Sequence, residues 1–197
     1  MKLRKNATVL FIGDHIIDDK SEKSVPLLLR EAHPEFNIVV SSHDKELLDH
    51  LVGRIKHEVK AIKPDLIILS VGISDSIDQK RSPSLGRYEE YYRFITLYEE
   101  ILSHVESYDE RVVILEPFMV VNPLMGECIR FDLDRKLTGI RRLVRQFGFS
   151  FISLDGPINA YAINNGIHKP VKLNGVTPRS ASYQIIADSI ENLIEIK

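Results

Sequence analysis

Histidine and carboxylates come together in Gly13-Asp14-His15-Ile16-Ile17-Asp18, directly after the apolar run Ala7 to Ile12. An imidazole there could attack an acyl or phosphoryl group without a separate base, or ligate a metal beside Asp14, Asp18 or Asp75. The plainer reading has His15 simply hydrogen-bonded to Asp75, Ser74 or water. A second polar set, Ser74-Asp75-Ser76, follows the run Asp65 to Val71, and a third, Asn174 with Thr177, precedes the last helical stretch. His168 could act as a base for any of these, or be an exposed loop histidine. Ser42, His43 and Asp44 face the same end of the chain's sheet but also read as the start of a helix, where a carboxylate suits the dipole. Ser70 and Ser76 have no evident base partner, and no lowered pKa can be argued for the thiol of Cys128. Neither polar loop has the glycine density of a phosphate cradle. His50 and His57 read as a solvated helix face. Tyr88, Tyr91, Tyr92 and Tyr98 suit packing at helical spacing, with sugar stacking as the alternative. No cofactor and no metal are expected.

These residues need elements to hold them. Ala7 to Ile12, Phe36 to Val40, Asp65 to Val71, Arg111 to Leu115 and Phe149 to Leu154 read as strands. Between them, apolar residues recur at three- and four-residue spacing. Leu47, Leu48, Leu51, Val52, Ile55, Val59 and Ile62 share one helical face, which Pro64 ends. Leu85 to Val105 and Leu133 to Phe147 repeat the pattern, with Gly148 as a stop and Arg141, Arg142 and Arg145 in the last turns, where cations suit the dipole. Ser24 and Pro26 start a shorter helix, and Pro178 opens the last one. Gly72 to Ser84, Glu116 to Arg130 and Asp155 to Thr177 read as loops, the last with room for one short helix. Five strands alternating with five helices predict a parallel sheet between helix layers, a doubly wound α/β fold. Ligands bind such sheets beyond the carboxyl ends of the strands, which here means Gly13 to Asp19, Ser41 to Asp44, Gly72 to Ser84, Glu116 to Arg130 and Gly166 to Pro178.

The remaining sequence features narrow the class. With 197 residues, 44% apolar and 27% charged, the chain suits one domain over 1–197 with a full core. A net charge of -2 and a pI near 6.4 supply no basic field, so neither nucleic acid nor an anionic membrane is expected as a partner. The lone cysteine fits a reducing compartment. Lys2, Arg4 and Lys5 precede an apolar run too short for a signal peptide and without a small-residue cleavage site, so a cytoplasmic location is expected. No stretch approaches the ~20 apolar residues of a spanning helix.

Four loops, in order across nearly the whole chain, resemble the SGNH hydrolases, the GDSL-type esterase and lipase family. Val9-Leu-Phe-Ile-Gly-Asp-His-Ile-Ile-Asp18 is similar to the family block in which a nucleophilic serine follows Gly-Asp, and here His15 holds the serine's place. Pro64 to Asp75 is similar to the block ending Gly-x-Asn-Asp, with Ser74 in place of the oxyanion-donating asparagine. Leu173-Asn-Gly-Val-Thr-Pro178 is similar to Asp-Gly-x-His-Pro, with Asn174 and Thr177 in place of the orienting aspartate and general base. The second block should present a glycine amide, yet Ser41 to His50 contains no glycine. Glu116-Pro-Phe118 points to the bacterial branch similar to carbohydrate acetylesterases. The resemblance implies a flavodoxin-like three-layer α/β/α fold with a five-stranded parallel sheet. It implies ester hydrolysis as the family's reaction, but all four roles of acyl transfer are altered here. Two readings follow. One is a domain without serine-esterase activity whose cleft takes a small or acylated-carbohydrate ligand or a protein partner. The other is an active acyl hydrolase rebuilt on His15, Asp75 and either His168 or Ser76.

Overall fold

A computed structural model of the chain describes residues 1–17, 23–78, 87–121 and 127–196. In chain order the strands are β1 (Lys2–Leu3), β2 (Thr8–Gly13), β3 (Asn37–Ser42), β4 (Leu66–Ser70), β5 (Val112–Leu115), β6 (Ser150–Ile152) and β7 (Glu195–Ile196). The helices are α1 (Val25–Ala32), α2 (Leu48–Ile62), α3 (Ile73–Asp78), α4 (Arg87–Val105), α5 (Glu127–Phe147), α6 (Asp155–Asn165) and α7 (Ser180–Glu191). The central sheet is parallel throughout, in the order β3-β2-β4-β5-β6, so the expected doubly wound three-layer architecture is present. Apart from it, β1 and β7 form a short parallel pair.

Strand periodicity sorts the core. Val9, Phe11, Leu66, Ile68, Val113 and Leu115 face one side, with α1, α6 and α7. Leu10, Ile12, Ile67, Leu69, Val112 and Ile114 face the other, with α2 and α4. Helix α5 serves both, burying Ile129, Leu133 and Leu137 in the first core and Ile140, Leu143 and Val144 in the second. Every residue of β4 is buried, as its unbroken apolar sequence requires of a strand covered on both faces.

The chain leaves β2 for β3 on one side and returns to β4 on the other. The topological switch point therefore lies between the carboxyl ends of β2 and β4, the usual ligand crevice of such sheets. Gly13 makes the closure possible. It has φ of 142° and pairs with Ser70, and a Cβ on it would lie 1.9 Å from the Ser70 carbonyl oxygen.

Several elements differ from the sequence expectation. The stretch Gly72 to Ser84, expected as a loop, carries α3, and the room for one short helix in Asp155 to Thr177 is taken by the eleven-residue α6. Helix α5 begins at Glu127, inside the expected loop Glu116 to Arg130, and α7 begins at Ser180 because Pro178 is held in a bridge to Val171. The structure thus has seven α-helices among the described residues, where five were expected.

Candidate functional site

At the switch point β2 delivers Asp14, which is fully buried. Its backbone amide donates to the Ser70 carbonyl at 2.9 Å, its carbonyl accepts from Ile17, and its Oδ1 accepts from the Ile16 amide at 3.1 Å. Asp14 thereby caps a 3-10 turn, His15–Ile17, that sequence pattern did not reveal. His15 opens that turn; its side chain and all of Asp18 lie outside the described residues. The loop after β3 closes over the same spot, where the His43 amide donates to the Gly13 carbonyl at 3.0 Å. The amide of His43 is therefore already engaged by the protein's own backbone. The His43 and Asp44 side chains are exposed, and Ser42 is half-buried. Beside them Arg54 ties this loop down, donating to the Ser41 hydroxyl at 2.6 Å, to Glu58 at 2.7 Å and to Glu46.

Beyond β4, Ser74 and Asp75 stand in the first turn of α3, Ser74 buried. Asp75 Oδ1 accepts the Leu48 amide at 3.3 Å. Helix α2 starts on Leu47, which offers no side-chain acceptor, so the carboxylate of another element caps it. The Oδ2 of Asp75 is buried with no hydrogen-bond partner among the described residues. Burial pushes its carboxyl up to about 7, helped by the charge of Asp49 and opposed by Lys136 and the Leu48 amide. Lys136 is itself fully buried, 2.8 Å from the Asp132 carboxylate and 4.7 Å from the centroid of the Phe94 ring. The hydroxyls of Ser70, Ser76 and Tyr98 are also buried without hydrogen-bond partners among the described residues, so Ser76 and Asp75 are not bonded to each other. Tyr98 is held protonated by burial and by the charges of Asp14 and Glu116.

Behind β5 and β6 lie two carboxylates that the sequence did not single out as a pair. Glu116, fully buried, accepts from the Ser153 hydroxyl at 2.8 Å and from the amides of Leu154 and Asp155 at 2.9 and 3.0 Å, and Arg141 Nε donates to it at 2.7 Å. It caps α6, whose N-cap Leu154 cannot. Arg141, read in the sequence as a dipole partner, instead neutralises this group. Asp155 accepts both arms of the Arg130 guanidinium at 2.7 Å and the Met119 amide at 3.2 Å. Glu116 follows β5 directly and Arg141 lies in the next helix, whereas Arg130 precedes Asp155 by a whole helix and strand, so the second pair leaves no local cue in sequence.

The structure brings Asn174 and Thr177 together. The Asn174 amide donates to the Thr177 hydroxyl at 2.7 Å, and its Oδ1 accepts the backbone amides of Thr177 at 3.0 Å and Val176 at 3.3 Å. Gly175, between them, accepts the Val120 amide at 2.8 Å, which pins this turn to the loop after β5. His168 is exposed and makes no hydrogen bond among the described residues. No group of three or more His, Cys, Asp or Glu suited to a metal occurs among the described residues, and no helix there is long and apolar enough to cross a membrane.

The three-layer α/β/α fold, with its five-stranded parallel sheet, is shared by solved structures of other proteins. An alpha/beta hydrolase enzyme from the metagenome of Lake Arreo, Spain, superposes with a TM-score of 0.80 at 18% identity, covering 96% of this chain and 95% of that one. An acetylxylan esterase from Geobacillus stearothermophilus superposes with a TM-score of 0.78 at 18% identity, covering 98% and 95%. No protein-family model matches the sequence, and no curated protein matches it.

Proposed function

We propose that the chain is an SGNH-hydrolase-like protein without serine-esterase activity, whose crevice over β2 and β4 binds a small or carbohydrate-like ligand. The observation that carries this reading is the Asn174–Thr177 pair. The resemblance assigns these positions to the aspartate and histidine that activate the nucleophile, and here an amide and a hydroxyl satisfy each other at 2.7 Å. Neither takes up a proton at neutral pH. Loss of nucleophile or base alone costs a serine hydrolase on the order of a million-fold in turnover. The oxyanion side is also reduced: Ser74 replaces an amide donor, and the His43 amide is bonded to the Gly13 carbonyl. The ligand class draws on the acetylxylan esterase of the same fold, which has also been solved as catalytic mutants with a serine, a histidine or an aspartate changed to alanine.

The second reading, an acyl hydrolase rebuilt around His15 and Asp75, draws on one observation. The Asp75 carboxyl, pushed up to about 7 by burial and with one buried oxygen unpartnered among the described residues, has the acidity of a general acid or base. One assay decides between them. Hydrolysis of p-nitrophenyl acetate is expected to stay at the no-protein rate. A rate above that background, abolished by His15→Ala, overturns the first reading and establishes the second.

A further inference from the structure

Large apolar side chains that remain exposed among the described residues are Tyr88, Tyr92, Val121, Phe131, Ile163 and Leu173. All but Ile163 lie in loops beyond the strands' carboxyl ends or in the opening turns of α4 and α5. Both helices lead into parallel strands that start at the opposite edge, so both begin at the edge where Asp14, Ser74 and Asp75 stand.

Three tyrosines and an arginine form the centre of this group. Tyr88 and Tyr92 are 70% and 61% exposed, with ring centroids 6.1 Å apart and planes inclined by 34°. Tyr91 meets Tyr92 edge-on at 5.9 Å. The Arg135 guanidinium lies 5.6 Å from the Tyr88 centroid and 5.0 Å from that of Tyr91, so it backs both rings. Gly139 sets the depth of the arrangement. A Cβ there would lie 2.1 Å from Ile95 Cδ1 and 3.0 Å from the Tyr91 hydroxyl, so glycine lets the ends of these two side chains rest against α5, and a larger residue would displace them.

Rings with apolar faces and hydroxyl tips beside a guanidinium match a molecule that has a C–H face and a hydroxyl rim, which is a pyranose. Size argues against a protein partner. A stable interface needs roughly 800 Å² a side from some 20–30 residues, whereas this cluster is a handful of side chains among the described residues. Its charged neighbours Arg93 and Asp134 are committed to Asp49 and Arg130.

We infer that Tyr88, Tyr91, Tyr92 and Arg135 form a stacking platform for consecutive rings of an oligosaccharide whose next unit reaches the crevice over β2 and β4. The inference rests on the carbohydrate reading of that crevice. The chain has seven tyrosines and no tryptophan, so its ultraviolet emission reports on tyrosines alone.

The test titrates the full chain with xylotetraose and, separately, with xylose carrying one O-acetyl group, following tyrosine fluorescence and calorimetry. The tetraose is expected to shift the emission and to bind about tenfold more weakly to the Tyr88→Ala/Tyr92→Ala variant. The Tyr88→Phe/Tyr92→Phe variant, which keeps the ring faces and loses only the hydroxyl tips, is expected to regain most of the affinity, with a nearly unchanged melting temperature in both, since these side chains are exposed. Equal tetraose binding by the alanine variant, or binding of the acetylated monomer alone, overturns the platform and leaves the crevice reading standing. Binding of neither sugar overturns both. Self-association that the alanine variant loses, with no sugar bound, overturns the platform by assigning the patch to a second copy of the chain.

Discussion

The Asp75 carboxyl gives the chain a pH dependence whose sign and size follow from its surroundings. Folding raises it from the ordinary 3.8 to about 7, chiefly by burial. Between those values the folded chain holds a proton that the unfolded chain has lost. Stability is therefore fully present below pH 4 and falls as pH rises toward 7. At 1.4 kcal/mol per pH unit, the loss over this window is about 4 kcal/mol. Asp75→Asn keeps an oxygen for the Leu48 amide and removes the ionisation. Urea unfolding of wild type and variant at fixed ionic strength, from pH 4 to pH 8, isolates the difference. The two are expected to be close at pH 4, with the variant the more stable by several kcal/mol at pH 8. A difference that stays constant across the range, or one that shrinks as pH rises, refutes the reasoning. Lys136→Met supplies a second arm. Removing the cation that favours the ionised form moves the transition to higher pH, and it strands the Asp132 carboxylate 2.8 Å from the vacated ammonium position. That variant is expected to be less stable by about 3 kcal/mol or more.

Two further substitutions probe the scaffold. Gly13→Ala drives a methyl group into the Ser70 carbonyl at a φ that L-residues avoid, and a loss of more than about 3 kcal/mol in chemical denaturation is expected. A loss below 1 kcal/mol would show that β2 and β4 can separate there at little cost. Glu116→Ala removes the acceptor for two buried amides at the start of α6 and is expected to cost about 3 to 5 kcal/mol. Amide exchange should show the loss concentrated at Leu154 and Asp155.

The long amphipathic helices were readable because each carries a period of about 3.6 over enough residues to be seen, and the five strands of the central sheet because each is a short apolar run between turn and helix signals. Helix α3 was not, since its six residues make less than two turns and fall within an expected loop. Helix α6 buries only Asp155, Ile158 and Ala162, too few to print a stripe. The two-residue strands β1 and β7 pair across almost the full length of the chain, and nothing local marks them. At the site, the resemblance placed Asn174 beside Thr177, and the structure joins them. What sequence could not convey was the borrowing between elements. Asp75 caps a helix 27 residues earlier, Glu116 one 38 and 39 residues later, and Arg130 reaches Asp155 across 25. A cap taken from another element leaves no spacing to detect, because its donor and acceptor meet only after the sheet has formed.

The bond from the Leu48 amide to Asp75 ties two of the loops that frame the crevice, the one after β3 and the one after β4. Neither can swing outward alone while it holds. Displacing α3 exposes the first turn of α2 to water, so the Leu48 amide should exchange its hydrogen in proportion to the fraction of time the crevice stands open. One proton in the chain thus reports the open population, and a ligand that closes the crevice should slow its exchange.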